Sequence, residues 1–330
     1  MSQIIFVDMS NLAKRAFHTP AVKLTPDGLS ATLVPVVLRM LRKLKDPYPG
    51  SELVAVFDGI KATELTRKHL FPSYKEDRRH TKLVQTPIEK SMTQYFFRCL
   101  ENLEENLKFL GVHCLKSDYL EADLVIAAQV SEAETRLTVL PHRSHSMVVS
   151  ADVDYATMIR PGVDWLRPTQ KKGIKGLLIK YNSKNFQREF GVPPKYYPFV
   201  KLLQGDKSDG IPGVRGFGPV KALKKIKEIC AESSPKSKSQ LLAAICKSMS
   251  LNREDEYKKL MLFDLSSPSK LIDYLITKIP DNTSKGCFFR VIEPEPSFRG
   301  FRNYMLSQGC TFIGPDLLCL CQVFGVSMDS

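Results

Sequence analysis

The sequence predicts an α/β fold: a mostly parallel sheet covered by helices, then, after about Tyr181, a largely helical region. Three observations point there. Ile4-Ile5-Phe6-Val7 and Leu53-Val54-Ala55-Val56-Phe57 are short, continuous and rich in β-branched residues, as strands covered on both faces are. Leu29 to Lys45 lies between them with helical spacing and closes on basic residues ahead of Pro47 and Pro49, which makes a β–α–β unit. Both strands run into aspartate, Asp8 and Asp58, and a third apolar run, Met147-Val148-Val149, leads into Ser150-Ala151-Asp152. In open parallel sheets, sites gather at the carboxyl ends of the strands.

The remaining elements follow in order. Residues 62–79 form a basic insertion that includes Phe71-Pro72-Ser73-Tyr74-Lys75-Glu76-Asp77-Arg78-Arg79. Pro87 opens a long helix, with Ile88, Met92, Phe96, Leu100, Leu103, Leu107 and Leu110 on one stripe and Gly111 as its stop. Val112 to Leu115 reads as a strand and Tyr119 to Val130 as a short helix with Glu121 and Asp123 in its first turn. Val163 to Leu166 reads as a strand that buries Trp165. Helical patterns follow at Asn185 to Phe190, Pro194 to Leu203, Gly218 to Cys230 and Gln240 to Met249, with a Ser/Lys-rich linker at residues 233–239. The last stretch, with Pro280, Pro294 and Pro296, reads as irregular, its aromatics from Phe298 to Phe324 packing onto the body. The expected domains are 1–181 and 182–330.

Composition narrows the function. Lys and Arg number 48 against 35 Asp and Glu, a formal charge of +13, which favours a polyanionic partner, nucleic acid first. No apolar run reaches the roughly 18 residues of a membrane span, and Met1-Ser2-Gln3 leads straight into a strand, so a cytoplasmic protein without membrane contact is expected. The eight cysteines show no zinc spacing and read as reduced, mostly buried thiols. His142-x-x-His145 lacks further ligands and is read as no metal site.

Against that basic background the acids stand out. Asp8, Asp58, Glu121, Asp123, Asp152, Asp154, Asp206 and Asp209 each sit at a strand end or an element start. Singly, such acids are ordinary caps. Together they could not be buried unpaired, because each charge would cost several kcal/mol. Hard divalent cations, Mg²⁺ above all, take oxygen ligands and suit phosphate chemistry. The second feature is the run from Gly205 to Ala222, where Gly213, Gly216 and Gly218 permit a tight hairpin whose bare N–H groups can approach a phosphate. Arg215, Lys221, Lys224, Lys225 and Lys227 surround it, with no acid until Glu228, so the segment can grip a duplex backbone without reading its sequence.

These motifs resemble a family. Phe6-Val7-Asp8-Met9-Ser10-Asn11, Val56-Phe57-Asp58, residues 71–78, Tyr119-Leu120-Glu121-Ala122-Asp123, Ser150-Ala151-Asp152-Val153-Asp154-Tyr155 and residues 204–214 occur in the order found in the 5′-nucleases, or flap endonucleases, of the phage and bacterial branch. That branch includes the nuclease domain of bacterial DNA polymerase I. The resemblance spans most of residues 1 to about 265, and the stand-alone length is similar to the phage enzymes.

The resemblance implies a PIN-like catalytic domain at 1–181, a helical arch at about 76–105, and a helical duplex-binding domain with a helix–hairpin–helix at 205–230. It implies two Mg²⁺ ions, replaceable by Mn²⁺. Asp8, Asp58 and Asp123, with Glu121 close by, would serve the first, and Asp152, Asp154 and Asp206, with Asp209, the second. Lys75 and Arg78 match the pair that contacts the scissile phosphate, Tyr74 is a base-stacking candidate, and Arg79 lies beside them on the nucleic acid. K⁺ at residues 213–218 is also implied. The expected activity is metal-dependent hydrolysis at 5′ flaps and nicks and of RNA–DNA primers during replication, by a monomer working beside a polymerase, clamp or single-strand binding protein. Two departures stand out: Leu124, where the phage and bacterial pattern has aspartate, and Gly210, where asparagine is frequent. Two other readings remain open, a PIN-type ribonuclease and a DNA-junction binding protein that has lost catalysis.

Overall fold

The computed structural model describes residues 3–22, 32–59, 67–76, 84–131, 138–140, 145–168, 178–279, 289–308 and 315–327. Its centre is a seven-stranded sheet in the order β6-β5-β4-β1-β2-β3-β9. The strands are β1 (Gln3–Asp8), β2 (Glu52–Phe57), β3 (His113–Ser117), β4 (His145–Val149), β5 (Val163–Pro168) and β6 (Leu178–Tyr181), with a two-residue pair β7 (Gly205–Asp206) and β8 (Ile211–Pro212) outside the sheet, and β9 (Phe289–Ile292). β1 to β5 pair in parallel, while β6 and β9 close the two edges antiparallel. Connections leave β1 to either side, toward β2 and toward β4, so the strand order reverses there and opens a crevice at the carboxyl ends.

Side chains of β1 alternate between two apolar layers, as the two-residue period of a strand requires. Ile5 and Val7 face a core built with α1 (Met9–Phe17), α2 (Leu33–Lys45) and, beyond the short α3 (Arg67–Leu70), the long α4 (Pro87–Asn106). Ile4 and Phe6 face a second core with α5 (Ala122–Val130) and α6 (Ser183–Phe190). α4 begins as expected at Pro87, fixed by a capping box between Thr86 and Glu89. A third core unites α7 (Tyr197–Gln204), α8 (Pro219–Ser233), α9 (Lys238–Met249) and α10 (Arg253–Phe263).

The C-terminal stretch corrects two expectations. Among its described residues 289–292, 298–307 and 315–324 form regular elements, and these pack against the sheet and its first core rather than in the third core. β9 pairs with β3, α11 (Ser269–Ile276) packs in the second core, and α12 (Phe298–Ser307) and α13 (Pro315–Phe324) pack in the first. The third core gathers apolar residues between 192 and 263 together with Tyr74. Apolar spacing was too short in each of these late elements to reveal its partner. No helix among the described residues is long and apolar enough to cross a membrane.

Candidate metal centre and nucleic-acid interface

The acids meet where the strand order reverses, and two of them, Asp8 and Asp152, are also helix caps. Asp8, at the end of β1, accepts from the Asn11 N–H at 2.9 Å and starts α1. Its second oxygen accepts from Ser150 Oγ and the Tyr155 hydroxyl, both at 3.2 Å. Asp58, just past β2, accepts from the Ala122 N–H at 2.8 Å, at the first turn of α5. Asp152, past β4, accepts from the Asp154 N–H at 3.0 Å. The Asn11 side chain takes the Ala151 N–H at 3.0 Å, so it fastens the loop after β4 to the start of α1.

Burial, and behind it the charges of Asp58, Asp152 and Asp123, push the Asp8 carboxyl up to about 7. A cation placed among these oxygens would remove that repulsion. The second cluster is Asp154, Asp206 and Asp209, whose carboxylate oxygens lie within 4.8 Å of one another. Asp206 also takes the Ser208 N–H at 2.9 Å and the Asp209 N–H at 3.3 Å, which folds residues 206–209 into a tight turn after α7. An all-oxygen donor set of this kind fits a hard divalent ion.

Two buried cations hold the acids together, and sequence reasoning missed both. Arg67, on α3 and 3% exposed, donates to Glu121 at 2.6 Å and to Asp123 at 2.7 Å. Lys201, on α7, lies 2.8 Å from Asp206 and pairs also with Asp154. Burial pushes Glu121 up, but Arg67 and Lys75 outweigh it and hold the carboxyl down at about 2. Asp206 is likewise held down at about 2 by Lys201, against its burial. Among 48 basic residues nothing marks these two, except that Arg67 precedes the Tyr74-Lys75 pair and Lys201 precedes Asp206 by fixed short spacings.

The structure places the other expected residues as follows. Lys75 sits at the rim, its Nζ 2.5 Å from Glu121. Tyr74 corrects the base-stacking expectation: it is 1% exposed and donates its hydroxyl to Glu121 at 2.8 Å, so its ring has no face free for a base. Arg78 and Arg79 lie outside the described residues, as does His142. Leu124 is 1% exposed and packs in the second core, facing away from the acids. On α4, Phe96 is buried edge-on against Phe17, whereas Phe97 is 48% exposed.

The segment from 205 to 233 forms a basic ridge. α7 ends at Gly205, β7 and β8 pair, and Gly213 lies against the chain reversal so closely that a Cβ would stand 2.3 Å from the Gln204 carbonyl carbon. Arg215, Gly216, Gly218, Lys221 and Lys224 are exposed and Lys225 is half-buried, with Val220 exposed at the start of α8. A cleft of about 530 Å³ lined by Asn11, Asp152, Lys201, Asp206, Lys207 and Ser208 lies beside the acids.

Comparison with known proteins agrees with this arrangement. Residues 3–191 match the family model described as the 5′-3′ exonuclease, N-terminal resolvase-like domain. DNA polymerase I of Mycobacterium bovis is 30% identical over 227 residues, 68% of this chain and 23% of the relative. DNA polymerase I of Pseudomonas aeruginosa is 32% identical over 232 residues, 68% of this chain and 22% of the relative. The chain thus spans less than a quarter of the length of these relatives. Among solved structures, the bacteriophage T5 flap endonuclease in complex with DNA and metal ions is 19% identical with a TM-score of 0.61, covering 97% of this chain and 99% of that one. Human GEN1 in complex with Holliday junction DNA is 15% identical with a TM-score of 0.56, covering 97% and 72%. At these identities the structural likeness establishes the fold.

Proposed function

The chain belongs to the 5′-3′ exonuclease family, and from that premise we propose that it is a divalent-metal-dependent, structure-specific 5′ nuclease acting on DNA 5′ flaps and nicks and on RNA–DNA primers. The observation that carries the reading is the convergence of acids from the ends of β1, β2 and β4, the start of α5 and the turn after α7 onto one crevice, in a chain of charge +13. Asp8, Asp58 and Asp123, with Glu121, would hold one Mg²⁺ or Mn²⁺ ion, and Asp152, Asp154, Asp206 and Asp209 a second. Bound there, such ions would supply positive charge to the scissile phosphate and a lowered pKa to the attacking water.

The chain's own groups do the rest. Lys75, one swing of its side chain from Glu121, would donate to a non-bridging phosphate oxygen and offset its developing charge. Arg78 is assigned the same task from the sequence. The helix–hairpin–helix made by α7, residues 205–218 and α8 would hold the duplex through backbone N–H groups at Gly213, Gly216 and Gly218, a site that would also suit K⁺. Arg215, Lys221, Lys224 and Lys225 would add phosphate contacts, so binding weakens with salt. The setting that suits these substrates is replication, beside a polymerase, clamp or single-strand binding protein.

A second reading has one observation in its favour. Arg67 and Lys201 already pair with four of the acids, so a junction-binding protein without catalysis would also hold them together. Cleavage of a 5′-labelled flap duplex by wild type and Asp152→Ala, in Mg²⁺, Mn²⁺ and EDTA, separates the two. Ion-dependent cutting at the junction that the substitution abolishes is the expected result. Tight flap binding with no cutting under any of these conditions would replace the nuclease by the binder.

A further inference from the structure

The turn that carries Asp206 and Asp209 touches the segment that carries Lys75, and the contact is made by backbone. The Lys75 N–H donates to the Asp209 carbonyl at 2.8 Å, and Ser73 Oγ donates to the Gly210 carbonyl at 3.4 Å. Gly210 has φ of 69°, and a Cβ there would stand 2.5 Å from the Ser73 carbonyl oxygen. Glycine alone permits that approach. Lys75 has φ of 55°, a left-handed conformation that a lysine keeps only where its surroundings hold it. Its ammonium then lies 2.5 Å from Glu121 and 4.8 Å from the centre of the Tyr74 ring. The backbone of Lys75 is thus set by the second acidic cluster and its head by the first.

We propose that Gly210 is a positioning residue for Lys75: by admitting the Ser73 carbonyl against the turn, it fixes the backbone from which Lys75 presents its ammonium to the phosphate. Gly210 offers no side chain to a phosphate or an ion, and its role runs through Lys75. The proposal rests on the nuclease reading above and adds to it a coupling between the two clusters that does not pass through a metal.

The test uses Gly210→Ala and Gly210→Asn in the full chain. Asparagine keeps the left-handed backbone and adds the Cβ, so it remains informative where the alanine form fails to fold. On a flap duplex, kcat is expected to fall by about 10- to 100-fold with KM within about twofold, the scale of a misplaced phosphate-binding group. In a Lys75→Ala background the same substitution is expected to change kcat by less than about twofold, because Gly210 has nothing left to position. Gly50→Ala serves as control: Gly50 has φ of 80° with nothing within 4 Å of its Cβ position, so it carries backbone strain without the contact and leaves cleavage unchanged. Amide hydrogen exchange at Lys75 is expected to quicken at least about tenfold in either Gly210 variant while amides of β1 keep their protection. A folded Gly210 variant that cuts within about twofold of wild type, or one whose loss is undiminished in the Lys75→Ala background, overturns the proposal. Should the wild type cut no substrate at all, the nuclease reading fails by itself, and unchanged Lys75 exchange in Gly210→Asn would then overturn the positioning contact separately.

Discussion

Arg67 Nη1 stands 2.6 Å from Glu121 Oε2, across 54 residues of chain, and its Nη2 stands 2.7 Å from Asp123. One planar guanidinium therefore separates two acids that flank the same helix start. Removing it would leave the buried Glu121 and the half-buried Asp123 with no counter-charge except Lys75 at the rim. Arg67→Ala is expected to lower the unfolding free energy by about 3–5 kcal/mol in EDTA, measured by urea denaturation. Arg67→Lys should recover only part of this, since one ammonium cannot span both acids with the same fork. A loss below about 1 kcal/mol would show that the acids are not charged together in the folded state.

Lys201 holds the second cluster in a different way. Its ammonium pairs with Asp154 and Asp206, two of the carboxylates that a cation would engage. Lys201→Met is expected to lower Tm in EDTA, yet to enlarge the rise in Tm on adding Mg²⁺ or Mn²⁺, because the competing charge is gone. A tenfold gain in ion affinity would enlarge that stabilisation by about 1.4 kcal/mol at saturating ion. Differential scanning fluorimetry across an ion titration reads both effects. An increment equal to that of the wild type would mean that Lys201 and the ion do not share the site.

Asp8 gives a pH dependence whose sign can be worked out. Burial and its acidic neighbours raise its carboxyl to about 7, so below the ordinary carboxylate range the folded and unfolded states are protonated alike. As pH rises toward 7 the unfolded state loses its proton first, and the stability this group confers is lost through that window. Asp8→Asn keeps an uncharged acceptor for the Asn11 N–H. In EDTA the wild type should therefore fall in stability relative to Asp8→Asn between about pH 4 and pH 7. Urea midpoints for the pair at several pH values measure the difference, and a flat difference would place Asp8 outside the acidic cluster's field.

Leu124 stands where the similar phage and bacterial pattern has an acid, and its side chain is locked in the second core. Leu124→Asp is expected to destabilise the protein by about 3 kcal/mol or more, as a buried unpaired carboxylate does. It should leave the ion-induced rise in Tm unchanged, because the first turn of α5 already presents Asp123 rather than residue 124 to the crevice. An increased ion response in this variant would show that the turn can rotate.

The parts of the fold that were legible in the sequence were those coded by local pattern. β1, β2 and β4 were readable because strands covered on both faces are continuous in β-branched residues, and their aspartates were readable because each follows its strand directly. Pro87 and the stripe of α4 were readable for a similar reason. Arg67 and Lys201 were not readable, because burying a cation depends on acids that come from distant segments. Tyr74 was misjudged for the same reason: an aromatic beside two basic residues looks free until Glu121, 47 residues further on, takes its hydroxyl. β9 was missed because four residues carry too little periodicity to announce an antiparallel partner far back in the chain.

That late strand has a consequence for how the protein is made. β3 precedes in synthesis both the strand that pairs with its outer edge and the helices α12 and α13 that pack in the first core, by more than 170 residues. Until then β3 is itself an edge strand of the nascent sheet, and the first apolar layer, covered by α1, α2 and α4, lacks its last two helices. A ribosome that stalls within residues 192–263 would release a fragment with most of its acids in place and an adhesive edge beside them. The order of synthesis thus runs opposite to the order in which the sheet can be sealed, and this chain should depend on holding factors during translation more than its finished stability would indicate.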